Sequence, residues 1–114
     1  ILKINLSLGL IYQLKQVMRM KVYLTAQIRV KEDFLEEVKM ALLALVEKSR
    51  LEDACLQYDL HQGMDDPLTF LFYEIWESQA GLDLHNAQGY MEEFASFVAD
   101  KITFGPELLK LNRL

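Results

Sequence analysis

The stretch FYEIWESQAGLDLH, residues 72–85, gathers Glu74, the single tryptophan Trp76, and His85, one of two histidines. These residue types can do chemistry. An imidazole moves protons near neutral pH, a carboxyl among apolar neighbours acts as a base or orienting group, and an indole makes a flat wall for an aromatic ring. Each type also has a purely structural use. His85 can cap a helix end or sit satisfied and half-buried, Trp76 can fill core volume, and Glu74 can pair across a sheet with Arg29. Tyr58, Phe72 and Gln27, with Thr25, are further candidates for lining a pocket. Tyr58 and His61 are an odd number of residues apart in one strand, so any given pocket receives at most one of them.

The elements that would position these groups are legible from periodicity. KVYLTAQIRV alternates with period two, with Val22, Leu24, Ala26, Ile28 and Val30 on one face. KEDFLEEVKMALLALVEKSR changes to a helical period, with acids early and Lys48 and Arg50 late, as a helix dipole favours. CLQYDLHQG is a second strand, and GMDDP turns the chain into a third, LTFLFYEIWE, as a hairpin. In that third strand Phe70, Phe72, Glu74 and Trp76 share one face, while Leu71, Tyr73 and Ile75 share the other. Both faces are largely apolar, so both should be covered; helices cover one, and a partner subunit is the economical cover for the second. Ser78 is an N-cap for a short helix, QAGLDLHNA. Gly89 breaks that helix before an amphipathic one carrying Tyr90, Met91, Phe94, Phe97 and Val98. FGP at 104–106 reads as a turn and ELLKLNRL as a last strand. The order is strand–helix–strand–strand–helix–strand, an α+β, ferredoxin-like split βαβ arrangement with an antiparallel sheet.

At 114 residues the chain is one domain, with a soluble, globular composition. The net charge of −5 hides an asymmetry: residues 1–20 hold Lys3, Lys15 and Arg19 and no acid, so the remainder is at −8. An acidic surface repels phosphate backbones and argues against nucleic acid as a partner. The leader, residues 1–19, reads as upstream sequence or an accessory helix, and residues 20–114 as the domain. Its apolar run Leu6–Tyr12 is a poor signal peptide, with no small-residue cleavage site after it and Lys15 and Arg19 close behind, so no membrane association is expected. Asn5-Leu6-Ser7 matches a glycosylation sequon by chance. The lone Cys55 allows no intrachain disulfide, which fits a cytoplasmic location, and it reads as a buried thiol. No His-x-His or Cys-x-x-Cys spacing occurs, so no metal is expected.

The order of elements, Cys55 and Tyr58 at the start of strand two, Glu74-x-Trp76-x-Ser78, and His85 nine residues beyond Trp76 together resemble the antibiotic biosynthesis monooxygenase (ABM) domain. The resemblance covers about residues 20–114. It departs at Ala54, where the family usually has Gly, at Gly89, where Pro is common, and at Tyr90, where some relatives have a second His. It implies a homodimer in which two ferredoxin-like sheets pack into a dimeric α+β barrel. It also implies a cofactor-independent monooxygenase acting on a small electron-rich aromatic, a quinol or phenol. His85 would then be the catalytic proton acceptor, and Glu74, Trp76, Tyr58, Phe72 and Gln27 the pocket. Two alternatives stand beside that reading: an isomerase or epimerase of a small carbonyl or sugar-derived compound, and a non-catalytic dimeric module that binds a small molecule.

Overall fold

The computed structural model describes residues 7–114. Helix α1 (Leu8–Met18) starts at Ser7, whose Oγ accepts the Leu10 N–H at 3.1 Å, and none of its residues is buried. Lys3, Asn5 and the first residue of the apolar run lie outside the described residues. Four strands follow, β1 (Val22–Val30), β2 (Cys55–Gln62), β3 (Thr69–Trp76) and β4 (Ile102–Leu111), interleaved with α2 (Leu35–Arg50), α3 (Gln79–Asn86) and α4 (Gly89–Val98). They form one antiparallel sheet in the order β2-β3-β1-β4, the ferredoxin-like α+β arrangement.

Alternation in the sequence becomes burial in the fold. On β3 the side chains of Phe70, Phe72, Glu74 and Trp76 are buried, and Leu71, Tyr73 and Ile75 on the reverse face are half-exposed. Helix α2 covers the buried face with Val38, Leu42, Leu45, Val46 and Ser49, spaced at helical intervals. Burying one such aliphatic side chain contributes about 1.5–3 kcal/mol. The acids Glu36 and Glu37 open α2, and Lys48 and Arg50 close it.

The C-terminal strand differs from the sequence expectation. Phe104-Gly105-Pro106 is not a turn before a strand but an irregularity inside β4, where the register against β1 shifts. Gly105 has φ +92°, and a Cβ there would strike the Gln27 carbonyl oxygen, so glycine is required at this bend. The bend carries Gly105, Pro106 and Leu108 along the open side of the helix layer.

Candidate active site

Three separate elements converge on one carboxylate. Glu52 lies in the turn between α2 and β2, pinned by its own N–H donating to the Ser49 carbonyl (3.1 Å) and its carbonyl accepting from Cys55 (3.0 Å). Ser78 caps α3 through the Gly81 N–H at 3.1 Å. Gly81 presses so close to Ala54 that a Cβ would collide with the Ala54 methyl. His85 lies one turn beyond Gly81 on the same face of α3, so this close approach delivers its ring to Glu52. The opening turn of α4 supplies Tyr90.

The resulting geometry is tight and dry. His85 Nδ1 is 2.6 Å from Glu52 Oε2, with the two side chains only 2% and 13% exposed. The Tyr90 hydroxyl donates to the same oxygen and lies 3.4 Å from the Ser49 hydroxyl. Burial, with Glu52 beside it, pushes the Tyr90 phenol up to about 12, so it stays a donor. A carboxylate that accepts from Nδ1–H leaves the neutral imidazole's lone pair on Nε2. Nε2 bonds to no protein group among the described residues, although every fully buried side-chain N or O there has a partner. Nε2 therefore opens onto the cavity that His85 helps to wall.

That cavity has a volume of about 640 Å³ and lies between the sheet and the helices. Leu24, Ile28, Tyr58, Phe72 and Glu74 form its floor, and Leu82, Met91, Phe94 and Val98 its roof. Size and apolar walls suit a small organic molecule held by few polar groups. Glu74 is 4% exposed, and its Oε1 accepts the Trp76 indole N–H at 2.8 Å. Burial raises the Glu74 carboxyl to about 7, against the lowering effect of the indole bond and with the Glu52 charge adding to the rise. Burial likewise holds the Tyr58 phenol well above its ordinary value, so it remains protonated.

The residues picked out from sequence divide cleanly. Tyr58, Phe72, Glu74 and His85 share the cavity. Trp76 is fully buried and lies behind the wall: its ring centroid is 4.4 Å from that of His85, and it orients both His85 and Glu74. Gln27 does not join them. It pairs with Leu71 and Glu107 in register and so faces the opposite side of the sheet, as Thr25 does. Glu74 does not pair with Arg29 either; Arg29 is on that opposite face, bonded to Asp66 at 2.9 Å. Cys55 is half-buried rather than buried, its thiol raised to about 11 chiefly by burial, so it is no nucleophile at neutral pH.

Sequence reasoning missed Glu52 and gave Tyr90 no role. The signal for Glu52 was the acid that opens the pattern Glu52-x-Ala54-Cys55-x-x-Tyr58. Tyr90 stood out only as a departure, and its hydroxyl serves the carboxylate that orients His85.

The described residues thus form an antiparallel α+β domain with a buried His–Glu–Tyr array facing an apolar cavity. Comparison with known proteins makes the class specific. The family profile for antibiotic biosynthesis monooxygenase matches residues 21–96, and the chain belongs to that family. It is 32% identical over 75 residues to the Bacillus subtilis protein named "Putative monooxygenase YcnE", covering 66% of this chain and 79% of that one. It is 30% identical over 87 residues to the uncharacterized Synechocystis protein sll1783; the match covers 76% of this chain but only 59% of the relative's length. The crystal structure of PA3566 from Pseudomonas aeruginosa superposes with a TM-score of 0.79 at 32% identity, over 85% of this chain and 97% of that one.

Proposed function

We propose that the protein is a cofactor-independent monooxygenase of a small electron-rich aromatic, a quinol or phenol, and works as a homodimer. The observation that carries the reading is His85: its Nδ1 is held by Glu52 and its Nε2 is presented to an apolar cavity. Family membership and the name of the YcnE relative point the same way.

The substrate ring lies against Phe72, with one hydroxyl at His85 Nε2. His85 removes that proton, and Glu52 steadies the imidazolium through Nδ1 while Tyr90 keeps the carboxylate in place. The phenolate is electron-rich enough to pass one electron to dioxygen, and the dry cavity holds the radical pair until a C–O bond forms. His85 returns its proton to the peroxide. The O–O bond then breaks as the attacked ring carbon loses its hydrogen, so one oxygen atom stays on the ring and the other leaves as water. All four electrons taken by dioxygen come from the substrate, and no external reductant enters. The dimer follows from the apolar residues on the uncovered face of the sheet, among them Leu71, Tyr73 and Ile75.

The test is oxygen consumption by the purified protein, with no added flavin, metal or haem, against a panel of reduced quinols and phenols, with His85→Ala in parallel. Uptake that needs the protein and falls by about a hundredfold or more in the variant is the expected result. No uptake with any member of the panel overturns the reading and shifts the weight to proton exchange in small hydroxyketones, the isomerase alternative.

A further inference from the structure

The register of the sheet sets one row of side chains across the cavity floor, polar at three of its four positions. Tyr58 pairs with Glu74, Glu74 with Leu24, and Leu24 with Lys110, so these four residues point to the same side on β2, β3, β1 and β4. Lys110 is two strand spacings, about 10 Å, from Glu74. The row runs from the buried end of the cavity, where Tyr58 is 2% exposed, to its mouth, where Lys110 is exposed. Lys110 also lines the cavity, and its Nζ donates to Gln79 Oε1 at 2.7 Å. Gln79 in turn donates to Asp83 at 2.8 Å, which fixes the glutamine and aims its oxygen at the lysine.

Among the described residues Lys110 has no carboxylate within ion-pair distance. Among the described residues it is also the only basic side chain in the cavity wall apart from His85. The remaining polar residues at the mouth, Gln79 and Asn86, are neutral. A cation held by a neutral amide at the open end of an apolar slot is placed to receive an anion that the slot itself cannot solvate.

From this row we infer that the substrate is an aromatic acid, whose ring lies in the cavity with a hydroxyl at His85 and whose carboxylate is held by Lys110 and Gln79 at the mouth. The inference rests on the cavity being an aromatic-binding site, but not on oxygen chemistry. The experiment is isothermal titration calorimetry under nitrogen of 2,5-dihydroxybenzoate and of its methyl ester, with the wild type and with Lys110→Met. Methionine keeps the apolar stem and removes the charge. The acid should bind the wild type about fivefold more tightly than the ester, a preference that shrinks as salt is added. In Lys110→Met the ratio should fall to about one. An acid-to-ester ratio near one in the wild type, a ratio that survives in Lys110→Met or in high salt, or no binding of either compound overturns the inference. The two proposals fail separately. Lys110-dependent binding of the acid without oxygen uptake sinks the monooxygenase and leaves this inference standing. Oxygen uptake on neutral quinols with no preference for acids does the reverse.

Discussion

The two faces of the sheet are built from the same strands and have opposite fates. On the helix side, β3 buries Phe70, Phe72, Glu74 and Trp76, and every polar group there has a specific partner or opens on the cavity. On the other side, Leu71, Tyr73 and Ile75 alternate with them along the same strand and stay half-exposed, beside Leu109 and Leu111 of β4. The contrast shows where chemistry can live. A carboxyl is raised to about 7 only where water has been removed, and the helix layer removes it from one face alone. The bare face mixes Leu71, Tyr73, Ile75, Leu109 and Leu111 with polar residues such as Thr25, Gln27 and Arg29, and the helix layer leaves it open to water.

The sharpest way to break the covered face is Glu52→Gln. The amide can donate to His85 Nδ1, which moves the ring proton to Nε2 and abolishes the base while leaving the shape intact. Activity should fall by about a hundredfold with little change in thermal stability. Steady-state kinetics beside a melting curve check this, and retained activity would remove Glu52 from the mechanism.

Glu74→Gln tests the same face through stability. The folded carboxyl titrates near 7, above its ordinary 4.5, because burial disfavours its charge. The raised value means that the protonated form suits the fold. The wild type should therefore be most stable below about pH 4.5 as far as this group is concerned, and should lose stability as pH rises through 7. Glutamine can still accept the Trp76 indole N–H and carries no charge. Its stability relative to wild type should grow between pH 5 and 8, by about 2 kcal/mol, then level off. Denaturant melts across that range check it, and a difference independent of pH would place the titration elsewhere.

On the bare face, Ile75→Asp puts a charge in the middle of the surface assigned to the partner. The monomer has no reason to unfold, because Ile75 is already half-exposed. The dimer dissociation constant should rise by about tenfold or more. Sedimentation at several concentrations reads it, and a wild type that is monomeric at micromolar concentration would end the partner explanation of this face.

Much of this was readable from the chain, and what was not has a physical reason. Alternation in β1 and β3, the cap at Ser78 and the apolar period of α2 are local properties, and the structure agrees with each of them. Tyr58, Phe72, Glu74 and His85, all singled out from the sequence, line one cavity. Gln27 was misplaced because the facing rule was not carried across the pairing of β1 with β3 and β4, which puts it with Leu71 and Glu107. The 104–106 bend misled because glycine and proline normally punctuate a strand, whereas here they bend one. Glu52 and Tyr90 were hidden for a deeper reason. They meet His85 from 33 and 5 residues away, and only the tertiary approach of Gly81 to Ala54 closes that gap.

That approach gives the smallest of the tests. Ser78→Ala removes the hydroxyl that accepts the Gly81 N–H at the start of α3, a loss of about 1 kcal/mol. The cap lies seven residues before His85 and contacts neither His85 nor Glu52, so its influence on the site must pass through the seating of α3 on the 52–54 turn. If the seating matters, kcat should fall by a few-fold while KM holds, because the cavity walls on the sheet are untouched. If kcat is unchanged and only the melting temperature drops, the contact of Gly81 with Ala54 seats the helix without help from its cap. Helix packing on that turn, rather than capping, would then be what separates the reactive face from the bare one.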